Sequence, residues 1–210
     1  MVRLTFERFL RFVSQNPEAG LSLAARLTRG PEPAHPTTAA ELLGPGQDQC
    51  LAVRVEGLTI PLDATVPRAS RIEPVTLDDW EGREIFRRGA SLVCLEALRS
   101  LRVAVIGLGP SWTSGLLIEL TEAPTDPAEL AKLAGQVTQR MTELCAARGH
   151  FDELVVGQAE ALALLERANN LPACELLESF SDRFVVLTRF GETVVLSPGA
   201  LPQHSGNVMG

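Results

Sequence analysis

The sequence predicts an α+β protein in which a small sheet domain at residues 1–77 precedes a larger sheet-and-helix domain at residues 78–210. Short alternating segments with one short helix fill the first part, and longer amphipathic helices separated by strands fill the second. The 210 residues are 45% hydrophobic and 21% charged. This composition is typical of a globular chain that buries a core.

In the first part, apolar spacing predicts an amphipathic helix at 4–13 and a strand at 21–27. Thr37 and Thr38 precede the apolar segment 39–43, and a threonine hydroxyl is a favoured N-cap of a helix. Alternation of apolar and polar residues then predicts three strands, at 51–55, 58–62 and 72–77.

Two long helices dominate the second part. Asp78 and Asp79 are placed to cap the first, at 80–101, and Asp126 to cap the second, with Glu129 completing a capping box. The first has an apolar face of Ile85, Phe86, Ala90, Val93, Ala97 and Leu98. The second has an apolar face of Leu130, Leu133, Val137, Met141, Leu144 and Cys145.

Shorter elements complete the second part. Strands are predicted at 102–106, 116–120 and 154–156, and helices at 159–168 and 172–180. The segments 184–190 and 193–196 flank Gly191 and predict a hairpin.

The charge distribution bears on nucleic-acid binding. The net charge is -7, from 19 basic and 26 acidic residues. Residues 1–75 hold eight of each sign, so the acidic excess lies in the second part. Because tight nucleic-acid binding depends on Lys and Arg that neutralise phosphates, an acidic domain argues against a large RNA footprint.

The cysteines and the hydropathy pattern predict a cytoplasmic protein. Cys50, Cys94, Cys145 and Cys174 show no C-x-x-C spacing, and no signal peptide precedes them, so we expect reduced thiols. No apolar run reaches the 18 or so residues that a membrane span needs.

A family resemblance begins at Cys50. The run CLAVRVEGLTIPLDATVPRASRIEPVTLDDWEGREIFRRGASLVCLEALRSL is similar to the end of a TGS domain, which is ubiquitin-like (β-grasp), and to the first long helix of the domain that follows it. The segment LPACELLESFSDRFVVLTRFGETVVLSPGALPQHSG resembles the closing hairpin of that second domain. This pair of domains is found in threonyl-tRNA synthetases and in uridine-kinase-like nucleoside kinases.

The resemblance also identifies what has been substituted. In the synthetases the second domain removes wrongly attached serine from tRNA, with an H-x-x-x-H pair on the long helix and C-x-x-x-H in the hairpin. Those positions hold Arg88, Leu92, Ser197 and Leu201 here. None supplies an imidazole or thiolate, so this set cannot bind a metal that activates water. We therefore expect no catalytic residue and no metal site in the chain.

The kinase relatives also lack those groups. On that basis the resemblance favours a non-catalytic accessory region of a nucleoside kinase, whose kinase domain would lie beyond Gly210 and use ATP and Mg²⁺. The alternatives are a free-standing aminoacyl-tRNA deacylase with an altered site, and a module that binds RNA, a nucleotide or a protein partner. No cofactor is expected in this chain, because a G-x-x-x-x-G-K-[ST] phosphate loop is absent and Lys132 is the only lysine.

Five residues are candidates for ligand contact. Arg87 and Arg88 on the long helix are suited to phosphate or carboxylate, although arginines near Glu84 are commonly surface ion pairs. The others lie in or after the closing hairpin: Ser197, His204 and Ser205. For the histidines, a surface or capping position is the ordinary expectation. VAVIGLG at 103–109 resembles a dinucleotide-binding turn, but Trp112 replaces the third glycine, so a hairpin is predicted instead.

Overall fold

The computed structural model describes residues 37–44, 49–67, 70–112, 115–179, 183–197 and 199–208, with the side chains of 110–112 left aside. The predicted helix at 4–13 and strand at 21–27, together with His35, lie outside the described residues. The α+β fold class is confirmed, since helices and four small antiparallel sheets alternate along these described segments. Among these residues no helix is both long and apolar enough to cross a membrane.

The first part is built on short strands and one short helix. Its strands are β1 (Thr37–Thr38), β2 (Ala52–Val55), β3 (Leu58–Ile60), β4 (Thr65–Val66) and β5 (Ile72–Val75). Strand β2 pairs with β3 and with β5, and β1 pairs with β4. The helix α1 (Ala39–Leu43) is capped as predicted: Thr38 Oγ1 accepts from the Glu41 backbone N–H at 3.2 Å, and Glu41 Oε2 accepts from the Thr38 N–H at 3.0 Å.

The second part contains the longer elements. Its helices are α2 (Trp80–Ser100), α3 (Pro127–Ala146), α4 (Gln158–Arg167) and α5 (Leu171–Glu178). Its strands are β6 (Val105–Trp112), β7 (Gly115–Leu120), β8 (Asp152–Gly157), β9 (Phe184–Phe190) and β10 (Thr193–Leu196). Strand β9 lies between β8 and β10, while β6 and β7 form a separate hairpin.

Three apolar clusters position the larger sheet and the long helices. Helices α4 and α5 cover the sheet through Leu165, Leu177 and Leu187, which are fully buried. Helix α2 packs on the end of α3 and the final segment of the chain through a second cluster that includes Leu92 and Leu201. A third joins the small sheet to α2 through Leu51, Ala52, Val75 and Ile85.

Three expectations for helix ends and faces are corrected. Asp79 is the N-cap residue of α2, but its carboxylate turns back to accept from the Thr76 N–H at 3.0 Å and makes no cap hydrogen bond. In α3, Asp126 accepts from the Ala128 N–H at 3.1 Å, without the predicted capping box. The predicted apolar face of α3 is only partly covered, because Leu130 is 48% exposed and Cys145 is the one residue of the helix that is buried.

Candidate functional site: an apolar cleft beside the closing hairpin

The fold brings together three of the four positions at which the sequence resemblance expects ligands, on α2 and after β10. Leu92 and Leu201 share one buried cluster. Arg88 Nη1 donates to the Ala200 carbonyl oxygen at 3.0 Å, next to Leu201. The backbone N–H of Ser197 donates to the Val186 oxygen at 2.9 Å. Leu92 and Leu201 are therefore held by apolar packing, Arg88 by the backbone beside Leu201, and Ser197 by the pairing of β10 with β9.

The remaining candidate residues make internal contacts. Arg87 Nη1 forms a 2.6 Å ion pair with Glu84 Oε1 on the same helix. Ser205 is fully buried, and its hydroxyl donates to the Leu144 carbonyl oxygen at 2.8 Å. The first contact lies along the surface of α2, and the second holds the segment around Ser205 against α3.

His204 is buried, which corrects the expectation of a surface or capping position. It is 9% exposed, and its Nε2 lies against the guanidinium of Arg148. Because an arginine only donates, Nε2 accepts and the proton is assigned to Nδ1. Burial, followed by the charges of Arg148 and His150, lowers the pKa of the His204 ring. A neutral ring that holds a turn in place is the role these contacts indicate.

A cleft of about 540 Å³ lies between α2, β10, the start of β6 and the junction of α4 and α5, a size typical of small-ligand sites. Helix α2 contributes Leu95 and Arg99, one and two turns beyond Leu92. Strand β10 contributes Val195 and Leu196, directly before Ser197. The opposite walls come from the start of β6 and from the junction of α4 and α5. None of the five candidate residues lines it.

The edge of β10 presents backbone groups to this cleft. Strand β10 is the outer strand of its sheet, and Ser197 bonds to Val186 of β9. Since antiparallel pairing alternates, Val194 and Leu196 direct their N–H and C=O groups away from β9. Asn170 Nδ2 donates to the Val194 oxygen at 3.0 Å. The cleft thus offers hydrogen-bonding groups on an otherwise apolar surface.

A buried carboxylate holds the cleft together at one end. Glu96 of α2 is 5% exposed. Its Oε2 accepts from the Thr193 N–H at 3.1 Å, the Thr193 hydroxyl at 2.8 Å and the Glu192 N–H at 3.3 Å. Arg99 pairs with both oxygens, Nε to Oε2 at 2.9 Å and Nη2 to Oε1 at 2.7 Å. Glu96 therefore links α2 to the turn between β9 and β10 and orients Arg99.

Sequence reasoning missed Glu96 and Arg99. The signal was available, because Glu96 interrupts the apolar face of α2 between Val93 and Ala97. A carboxylate on a helical face that is otherwise buried requires a partner, and Arg99 stands one turn away.

The protonation of Glu96 predicts a pH dependence of stability. Burial by itself raises the pKa of this carboxyl, but the hydrogen bonds from Arg99 and Thr193 outweigh it, so the net pKa is lowered. A lowered pKa in the folded state gives stability that is complete above the unfolded value, near 4.3, and is lost as the pH falls through the folded value.

We therefore expect the stability difference between the wild type and Glu96→Gln to be constant from pH 7 to about 5 and to shrink below about 4. Denaturant unfolding of both proteins across this range measures the difference. A gap that stays constant down to pH 3 would contradict the assignment.

Comparison with known proteins gives one recurring relative. The chain is 26% identical over 162 residues to a threonine–tRNA ligase of Desulforapulum autotrophicum, covering 77% of this chain and 24% of the ligase. The identity is 34% over 131 residues to that of Parafrankia sp., covering 61% and 19%. It is 30% over 152 residues to that of Nitratidesulfovibrio vulgaris strain Miyazaki F, covering 71% and 23%.

No protein-family model matches the chain. The chain spans about a quarter of the length of the ligases it matches, for example 24% of the Desulforapulum protein. Most of the chain is therefore a region similar in sequence to threonyl-tRNA synthetases.

Proposed function

We propose that this chain is an editing-like module. It binds the 3′ end of threonine tRNA in the cleft beside β10 and does not hydrolyse the aminoacyl ester. The similarity to threonine–tRNA ligases supports tRNA as the partner. The observation that carries the non-hydrolytic part is the packing of Leu92, Leu201 and Arg88 where catalytic ligands would stand.

The cleft itself supports binding over hydrolysis. Its described lining contains no carboxyl, imidazole or thiol group that would serve as a general base. Apolar walls with a few backbone and amide groups suit burial and edge recognition of an unpaired base. The tRNA 3′ end is single-stranded and so offers a base in this form.

Two assays on one preparation test this function. We expect threonine tRNA to bind, in a fluorescence-anisotropy titration, about tenfold or more tightly than the same tRNA lacking its terminal adenosine, since tenfold corresponds to about 1.4 kcal/mol and burial of one large apolar group contributes about that much or more. We expect seryl-tRNA to remain intact at the rate of the protein-free control.

The outcomes separate the alternatives. Equal affinity for intact and trimmed tRNA would remove the 3′ end as the ligand. Release of serine above the control would instead support the deacylase with an altered site.

A kinase accessory region is the second candidate. It is favoured because the four ligand residues of the synthetases are replaced here, as the resemblance implies for the nucleoside kinases. The ligase relatives weigh against it. The coding sequence that follows Gly210 discriminates between them, because a glycine-rich phosphate loop with its lysine within the next hundred or so codons would indicate a kinase domain.

A further inference from the structure

Arg99 is the one charged residue among the eighteen described residues that line the cleft. The others are apolar residues and glycine, with Asn169, Asn170 and Thr193 as the polar members. A single cation on an apolar wall attracts an anionic group more strongly than it would in water, because the local dielectric is lower.

The guanidinium of Arg99 is held in a defined orientation. Two of its nitrogens, Nε and Nη2, donate to Glu96 at 2.9 and 2.7 Å. This leaves Nη1 and the second N–H of Nη2 as donors for a ligand. The side chain is 43% exposed, whereas that of Glu96 is 7% exposed. Arg99 is thus reachable from the cleft while its partner is not.

Glu96 does not cancel this charge completely. Three donors of the β9–β10 turn share its Oε2 with Arg99. These hydrogen bonds use much of the accepting capacity of the Glu96 carboxylate. The outward side of the Arg99 guanidinium therefore remains available to an anion.

The lining also discriminates against positive groups. Among the described cleft residues no carboxylate is present to pair with an ammonium, and Glu96 is enclosed by its own donors. The α-ammonium of an attached amino acid therefore finds no charged partner among the lining residues, whereas a phosphate finds Arg99; the other carboxylate that acts on Arg99, Glu192, belongs to the β9–β10 turn. An apolar pocket with one arginine suits a nucleoside that carries a single phosphate group.

Building on the proposed function, we propose that Arg99 is the anion-binding residue of the cleft, that it contacts the phosphate of a terminal nucleotide, and that Glu96 positions it. In this arrangement the nucleotide is recognised by its base and its phosphate. Binding is then independent of whether an amino acid is attached.

Titration of the purified chain by calorimetry or NMR tests this assignment. AMP is expected to bind about tenfold more tightly than adenosine, the lower end of the gain from hydrogen bonds to a charged group. Inorganic phosphate alone is expected to bind at least tenfold more weakly than AMP, which distinguishes a nucleotide from a free anion. Aminoacylated and free tRNA are expected to bind within about twofold of each other.

Three variants assign the effect to Arg99. Arg99→Met keeps the apolar stem and should bring the affinity for AMP down to that for adenosine. Arg99→Lys preserves a charge beside Glu96 but lacks the outward fork, so the preference for AMP should fall while the protein remains folded. Arg87→Met is the matched control, because Arg87 lies on the same helix in an ion pair outside the cleft.

Two results would overturn the proposal: equal binding of AMP and adenosine by the wild type, or an unchanged AMP preference in both Arg99 variants. Its failure is distinguishable from that of the proposed function. If the wild type binds AMP and adenosine equally but still binds intact tRNA better than trimmed tRNA, the 3′ end remains the ligand and only the role of Arg99 is lost.

Discussion

Glu96→Gln is expected to lower the free energy of unfolding by about 2–4 kcal/mol at pH 7. The Glu96 carboxylate accepts three hydrogen bonds from the turn at Glu192 and Thr193, and these bonds join the turn to α2. An amide replaces one acceptor oxygen with an NH₂ donor that faces other donors. Buried N–H groups at the turn then lose partners, and Arg99 loses its counter-charge.

Urea unfolding followed by circular dichroism measures this change, with the slope checked so that the midpoint reports stability alone. Glu143→Gln is the matched control, since Glu143 also pairs with an arginine three residues away but is exposed on α3. Exposed ion pairs contribute little, so this variant should unfold near the wild-type midpoint. Equal midpoints for the two variants would show that Glu96 does not hold the hairpin.

The local features of the fold are predictable where one short segment contains the whole signal. The hairpin of β9 and β10 has the predicted bounds because two apolar runs flank a tight turn at Gly191, whose φ is 60°. Helix α1 begins at Ala39 because Thr38 and Glu41 satisfy each other's backbone groups.

Predictions that depend on a distant partner succeed less well. The 3.6-residue period of α3 identifies an apolar face, but it does not identify which other elements pack on that face. Only the C-terminal part of that face meets the cluster of Phe190 and Val208, so Leu130 remains 48% exposed. His204 similarly looks like a surface residue until the fold places Arg148 against it.

In the candidate site, too, some residues are identified from local sequence and others only from the fold. The family resemblance identifies Arg88, Leu92, Ser197 and Leu201, because local sequence similarity is enough to align both pairs. The cleft could not be located in this way, since its walls come from β6, the α4–α5 junction and β10. The ties from Glu96 to Glu192 and Thr193 span almost a hundred residues, a separation at which periodicity carries no information.

Gly82→Ala is expected to destabilise the protein by about 3 kcal/mol. A β-carbon at this position of α2 would lie 1.8 Å from the Thr76 carbonyl oxygen and 2.5 Å from its carbon. These are backbone atoms, so no side-chain rotation relieves the clash. Thr76 is held in place, because its N–H donates to Asp79 Oδ2 at 3.0 Å and its oxygen accepts from the Asp79 N–H at 3.1 Å.

Gly135→Ala supplies a control with the opposite sign. Gly135 lies in the interior of α3, and an added β-carbon would meet nothing within 4 Å. Alanine should therefore stabilise this helix by about 0.5–1 kcal/mol, the difference in helix propensity. Denaturant midpoints of the two variants should move in opposite directions from the wild type.

The sign of the Gly82 effect depends on whether the chain between β5 and α2 can shift. Alanine also favours the helical state at residue 82, so a turn at Thr76 that moved by an ångström or more would convert the loss into a gain. Strand β5 opposes such a shift, because Val75 is fully buried and its oxygen accepts from the Leu51 N–H at 2.9 Å. A stabilised Gly82→Ala would mean that the junction between the small sheet and the long helix yields more readily than these contacts indicate.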